Sequence, residues 1–253
     1  MKIGLIQYSP EWENKKKNRE KINAILERDF SGHGLLILPE MTLTGFTMNT
    51  VMLSEQLEGE SFRFYSGISK KYNADVLAGL IEEDNGNFYN TLLHINAEGE
   101  LKASYRKIHP FSYSTEDKNY KRGNKTVITK VKEFNTGLSI CYDLRFPELF
   151  RQYGKAGAEL IVVIANWPDT RIEHWRTLLK ARAIENQCYV AGVNRVGNDP
   201  KLSYPGYSSV FDPLGIESIF EVNTEKIVDA EISKDRVEEV REKLPFLNDI
   251  FLV

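Results

Sequence analysis

Cysteine is scarce in this chain of 253 residues: Cys141 and Cys188 are the whole complement, too few for the disulfide framework of a secreted mini-protein. Each is expected to be a free thiol. The four histidines, His33, His94, His109 and His174, form neither a His-Glu-x-x-His pattern nor a paired Cys/His spacing, so no metal site is expected. Gly-x-Gly-x-x-Gly and Walker-type patterns do not occur, which removes the usual phosphate cradles and leaves no cofactor to expect. A basic excess is missing too. Lys and Arg total 33 against 36 Asp and Glu, a formal net charge of -3, and nucleic acid is therefore not the expected partner. Apolar runs such as Leu160 to Ala165 fall far short of the roughly 20 residues of a membrane span. Met1-Lys2-Ile3-Gly4-Leu5-Ile6 runs straight into a strand pattern, without the separate hydrophobic region and cleavage site of a signal peptide. The expectation is a cytoplasmic protein whose chemistry uses side chains alone.

What is present is an ordinary globular composition, 42% hydrophobic and 27% charged, with alternating strand and helix patterns. Residues 3 to 8 read as a buried strand. Asn14 to Phe30 changes to helical spacing, with Ile22, Ile25, Leu26 and Phe30 on one face, and Leu35 to Leu38 follows as an apolar strand ending at Pro39-Glu40. A crossover of that length favours parallel pairing. A helix is predicted over Glu60 to Tyr72, then strands over Ala74 to Ile81, Asn87 to Ile95 and Leu101 to Arg106, separated by turns at Asp84 to Asn87 and Asn96 to Gly99. The second half repeats the theme: strand Lys132 to Ile140, helix Pro147 to Lys155, strand Glu159 to Ala165, helix Arg171 to Asn186 and strand Cys188 to Val193. Strands Tyr207 to Phe211 and Lys226 to Ile232 complete the count, with Asp212-Pro213-Leu214-Gly215 as the turn between them. No low-complexity linker divides the chain. The pattern predicts an α/β fold of one domain, residues 1 to 253, in which two mixed sheets pack face to face under helices on both outer faces.

Chemistry concentrates at Ser139-Ile140-Cys141-Tyr142-Asp143, where a buried strand gives way to a helix. A thiol there stands near a helix N-terminus, a position that lowers thiol pKa and aims backbone N–H groups at a developing oxyanion. The competing account makes Cys141 a small core residue. Cys188, at the start of an apolar strand with no turn following, is expected to be packed and inert. Glu40 ends the first strand–helix–strand unit, where open α/β sheets place reactive groups; it is either a general base or a turn carboxylate. Lys107 also follows a strand end, and alone would be an ordinary solvated charge.

Together these positions resemble the carbon–nitrogen hydrolase (nitrilase) superfamily: Leu38-Pro39-Glu40 with Gly45-Phe46, then Arg106-Lys107-Ile108-His109 with Glu116 and Gly123, then Cys141-Tyr142-Asp143-Leu144-Arg145-Phe146-Pro147-Glu148. The resemblance runs from residue 3 to about residue 245. It implies a four-layer α-β-β-α sandwich, subunits that dimerise through helices, and a Glu–Lys–Cys triad falling on Glu40, Lys107 and Cys141, with a second glutamate at Glu116. Helix Arg171 to Asn186, with an apolar face of Trp175, Leu178 and Leu179, and the segment after Cys141 are the candidate homodimer contacts.

In the chemistry so implied, Glu40 takes the proton of Cys141, and Lys107 with the backbone N–H of Tyr142 forms the oxyanion hole. Glu116 positions Lys107, or is a solvated charge. Arg145 is the candidate for gripping a substrate carboxylate, with structural pairing to Glu148 or Asp143 as the alternative. Phe46, Trp167 and Tyr207 are candidate pocket walls. Ala165-Asn166-Trp167-Pro168, Ala181-Arg182-Ala183-Ile184-Glu185-Asn186-Gln187 and Arg241-Glu242-Lys243-Leu244-Pro245 look like the ω-amidase branch, which hydrolyses 2-oxoglutaramate and 2-oxosuccinamate. Pro110-Phe111-Ser112-Tyr113 departs from it, since relatives often have leucine after the histidine. The rival expectations are an amidase for N-carbamoyl amino acids or deaminated glutathione with the same triad, and a catalytically inactive scaffold.

Overall fold

The computed structural model describes residues 1–251. In chain order its elements are β1 (Lys2–Gln7), α1 (Lys15–Asp29), β2 (Leu35–Ile37), α2 (Thr50–Leu53), α3 (Glu60–Tyr72), β3 (Asp75–Asp84), β4 (Asn87–Ile95) and β5 (Leu101–Arg106). The second half contains α4 (Glu116–Asn119), β6 (Ile128–Val131), β7 (Phe134–Ile140), α5 (Pro147–Lys155), β8 (Leu160–Ala165), α6 (Ile172–Asn186), β9 (Tyr189–Asn194), β10 (Val196–Asn198), β11 (Ser203–Phe211), β12 (Glu217–Val222), β13 (Lys226–Glu231) and α7 (Lys234–Lys243).

One sheet has the order β13-β1-β2-β3-β4-β5, the other β10-β11-β9-β8-β7-β6 with β12 beside β11. The apolar runs explain the layering. Along β8, Leu160, Val162 and Ile164 point into the core between the sheets, while Ile161, Val163 and Ala165 pack under α5 and α6. In the first sheet, Leu35 and Ile37 face the inter-sheet core, and Leu36 and Leu38 face the cluster containing Ile22, Ile25 and Leu26 of α1 and Tyr65 and Ile68 of α3. A strand buried on both faces needs apolar residues at every position, and these supply them. The result is the α-β-β-α sandwich.

Four expectations change. Lys132 adopts φ +50° in a tight turn, so the strand expected from Lys132 to Ile140 starts only at Phe134 as β7, and the turn joins it to an additional antiparallel strand, β6. Asp212 to Gly215 leads from β11 into β12, not directly to β13. The charged sequence of α7 concealed a helix that buries Val237 and Val240. Finally, the apolar face of α6 is not free for a partner. Trp175 and Leu179 are fully buried, and a Cβ at Gly192 of β9 would lie 2.5 Å from Leu179 and 2.7 Å from Trp175. Leu178 packs half-buried against the same cluster. That face covers its own sheet.

Among the described residues no helix is long and apolar enough to cross a membrane.

Candidate active site

The ends of β2, β5, β7 and β8 converge on one cavity of about 250 Å³, whose lining includes Phe46, Lys107, Cys141, Tyr142, Arg145, Asn166 and Trp167. Glu40 lies in the turn after β2. Thr42 of that turn donates its N–H to the Gly79 carbonyl at 3.1 Å, and Tyr8 donates its hydroxyl to the Thr42 carbonyl. Gly79 has no side chain because none fits: a Cβ there would lie 2.6 Å from Met41 N and 3.1 Å from Glu40 backbone atoms.

Three charges meet in the interior. Glu40 and Lys107 are each 1% exposed and Glu116 is fully buried. Lys107 Nζ donates to Glu40 Oε1 at 2.8 Å and to Glu116 Oε2 at 2.9 Å. Burial alone would lower the Lys107 pKa, but Glu116 and Glu40 outweigh it and hold the ammonium well above its ordinary range. Burial pushes Glu116 up; Lys107 opposes that shift and Glu40 adds to it. Glu116 is therefore part of the buried cluster and not a solvated charge.

Two asparagines complete the cluster. Asn90 of β4 donates its side-chain amide to Glu40 Oε1 at 2.7 Å and to Glu116 Oε1 at 2.9 Å. Asn166, just beyond β8, donates its backbone N–H to Glu40 Oε2 at 2.9 Å, while its carbonyl oxygen accepts from Cys141 Sγ at 4.0 Å. Asn90 passed unnoticed in the sequence, and Asn166 entered only as part of a motif. A neutral amide carries no chemical signature there; the Asn90 signal was its place on a strand next to one ending at a catalytic candidate.

Cys141 has φ +48°, a left-handed conformation rare outside glycine, and it opens a 3-10 turn, Cys141–Arg145. Asp143 holds this turn: Oδ2 accepts from Ile140 N at 3.0 Å and from the Tyr105 hydroxyl at 2.7 Å, and Oδ1 accepts from His109 N at 3.0 Å. The expected lowering of thiol pKa by a helix N-terminus is corrected here. The α-helix begins at Pro147, and burial pushes the Cys141 thiol well above its ordinary range, with Glu40 adding to the rise and Lys107 opposing it. A thiol shifted in that direction holds its proton more firmly, so any nucleophilic use of it calls for a base. In Cys188, fully buried, desolvation raises the pKa to about 12.

Tyr142 follows Cys141 in the first positions of the turn, where backbone N–H groups lack intrahelical partners. Arg145 ends the turn with its guanidinium 4.8 Å from the Trp167 ring and both terminal nitrogens 3.3 Å from His174 Nδ1. It pairs with neither Glu148 nor Asp143, and among the described residues it has no carboxylate partner.

Tyr207 is a correction. It does not line the cavity; it stacks on Phe220 at 5.7 Å, with Arg176 5.2 Å from its ring. Its φ is +57°, and the β11–β12 register shifts between Gly206 and Ser208, so simple alternation fails at this point. Tyr204 lines the cavity instead, together with Trp12, Phe111 and Arg171. Among the described residues no group of three His, Cys, Asp or Glu side chains is arranged to hold a metal ion.

Known proteins resemble this chain in sequence and in fold. XC1258 from Xanthomonas campestris, a CN-hydrolase superfamily protein solved with an arsenic adduct in its active site, superposes with a TM-score of 0.95 at 32% identity, over 100% of this chain and 98% of that one. The 2-oxoglutaramate amidase of Bacillus subtilis (strain 168) is 32% identical over 98% of this chain and 96% of its own length. Omega-amidase YafV of Escherichia coli (strain K12) is 34% identical with the same coverage. The carbon-nitrogen hydrolase family model matches residues 2–242, and the chain belongs to that family.

Proposed function

We propose that this chain is an amidase for short α-keto acid amides, 2-oxoglutaramate and 2-oxosuccinamate, releasing ammonia and the dicarboxylate through a thioester on Cys141. The observation that carries the assignment is the shared cavity: the half-buried Cys141 thiol, the Lys107 ammonium that Glu40 holds from behind, and the Arg145 guanidinium, without a carboxylate partner among the described residues, line one space of about 250 Å³. That volume sits below the usual range of about 300–1,000 Å³ for drug-sized ligands and suits a small substrate.

Glu40 removes the proton from Cys141 as sulfur adds to the amide carbon. The carbonyl electrons move to oxygen, where Lys107 Nζ and the Tyr142 N–H stabilise the charge. Collapse breaks the C–N bond, and the proton on Glu40 leaves with the nitrogen as ammonia. Glu40 then draws a proton from water, whose oxygen attacks the thioester and frees the acid and the thiol. Glu116 and Asn90 hold Lys107 and Glu40 in register. Arg145 grips the distal carboxylate, with Phe46 and Trp167 as apolar walls.

The likeness to a 2-oxoglutaramate amidase and an omega-amidase over nearly the full chain supports this substrate class. A working location in the cytoplasm suits a nucleophile that must stay a reduced thiol. Residues 1–253 act as one catalytic domain, and a homodimer belongs to the same proposal; sedimentation velocity checks the dimer.

The test is ammonia release from a panel of amides by purified protein. Turnover is expected with 2-oxoglutaramate. Turnover confined to an N-carbamoyl amino acid or deaminated glutathione would change the substrate, and an inert panel would favour a scaffold.

A further inference from the structure

A second guanidinium faces the cavity. Arg171 closes the 3-10 turn Asp169–Arg171 and is the N-cap of α6, a position whose unpaired N–H groups already carry partial positive charge. A cation at that end of a 15-residue helix is unfavourable by itself. Among the described residues Arg171 forms no ion pair; its side chain makes one long hydrogen bond, to Thr170 Oγ1 at 3.5 Å, and lies 5.7 Å from the Phe111 ring.

The nearby acids are engaged elsewhere or face solvent. Asp199, on the cavity wall, uses Oδ1 for the backbone N–H groups of Lys201 and Leu202, at 2.7 Å each, and Oδ2 for the Tyr204 hydroxyl. Glu173 and Asp169 are exposed and bridge to neither arginine. The Glu40 and Glu116 charges are shared with Lys107.

The backbone of Arg171 is nonetheless fixed. Its N–H donates to the Pro168 carbonyl at 3.1 Å, and its own carbonyl accepts from Trp167 Nε1 at 2.7 Å. Trp167 is the ring on which Arg145 rests. One indole thus links the two arginines, and the charge of each bears on the other: Arg145 is held below its ordinary pKa by burial and then by Arg171. Two guanidiniums and a helix N-terminus converging without a counterion form an arrangement that an anion completes.

The geometry points to Arg171 as a second specificity-determining residue, which closes with Arg145 on the terminal carboxylate of the substrate. This rests on the amidase assignment and narrows it: the preferred amides carry a carboxylate at the end away from the scissile bond, and uncharged amides of equal length are poor substrates.

The test compares Arg171→Met and Arg171→Lys with the wild type on 2-oxoglutaramate and on glutaramide, an uncharged diamide. Loss of one charged hydrogen-bonding partner predicts a rise in KM for 2-oxoglutaramate of about 10- to 100-fold, with kcat within about threefold. Arg171→Lys should recover part of that loss, and both variants should change glutaramide turnover far less than 2-oxoglutaramate turnover. Unchanged KM for 2-oxoglutaramate, or equal losses on both amides, would overturn the proposal, the latter exposing a role confined to supporting Trp167. Titration of 2-oxoglutarate into Cys141→Ala protein, with and without Arg171→Met, separates the two assignments. If the wild type turns over no keto acid amide but binding still depends on Arg171, the amidase assignment fails and the anion site stands. Binding indifferent to Arg171 removes the site.

Discussion

Asn166 is tied to Glu40 by three hydrogen bonds. Its backbone N–H and its side-chain amide reach Glu40 Oε2 at 2.9 and 3.3 Å, and the same amide reaches the Glu40 carbonyl oxygen at 2.8 Å. Because the Asn166 carbonyl also faces Cys141 Sγ at 4.0 Å, one residue past the end of β8 aligns the candidate base with the candidate nucleophile. Replacing it as Asn166→Leu removes two of the three donor contacts and leaves the backbone one. The expected result is a fall in kcat of about 10- to 100-fold with a smaller change in KM, since misplacement of a catalytic group by about 1 Å can cost that much. Steady-state ammonia release checks it.

Lys107 stands between two buried carboxylates. Lys107→Met leaves Glu40 and Glu116 facing each other without a cation, and breaking a buried ion network in this way costs about 3–5 kcal/mol. Activity should fall by about 10²- to 10³-fold from loss of an oxyanion donor. Adding Glu116→Gln should restore part of the stability and none of the activity. Urea unfolding alongside ammonia release separates the two effects.

Stability should decline on the alkaline side. Cys141 and Lys107 both have folded pKa values above their ordinary values of 9.0 and 10.5. Above each ordinary value the unfolded chain loses its proton first, so the native state holds more protons and stability falls as pH rises. The contribution is fully present below pH 9.0 and is lost upward through the folded values. Cys141→Ala should flatten the first part of the decline; Cys188, shifted the same way to about 12, contributes equally to both proteins. Denaturant titrations from pH 8 to pH 11 give the slopes.

Gly79→Ala tests the close approach of β3 to the Glu40 turn. The added methyl meets Met41 N at 2.6 Å, and backbone cannot yield as a flexible side chain can. Overpacking of this kind costs about 1–3 kcal/mol and should displace Glu40, lowering kcat and Tm together. Calorimetry and kinetics on the same preparation give both numbers.

Much of this architecture was legible because the signals are local. The helix Glu60–Tyr72 and the strands Asn87–Ile95 and Leu101–Arg106 have the bounds their periodicity and turn residues predicted, and the Pro39-Glu40, Lys107 and Cys141 motifs each sit just past a strand end. The less legible parts depend on geometry that spacing does not encode. Asn90 gains meaning only when β4 brings it between two glutamates 50 and 26 positions away in the chain. Tyr207 was misplaced because a register shift reverses the alternation that assigns faces. Trp175 and Leu179 formed an apolar stripe suited to a partner or to the chain's own sheet, and Gly192 decides for the sheet. Arg171 was hidden inside a helix pattern whose first residue turns out to cap it.

Ammonia release from 2-oxoglutaramate by Cys141→Ala protein, assayed beside folded wild type, tests the thioester route most directly. Release by the variant should drop to the uncatalysed background while its circular dichroism and 2-oxoglutarate binding persist. Ammonia release by Cys141→Ala at the wild-type rate would contradict a nucleophilic role for this thiol.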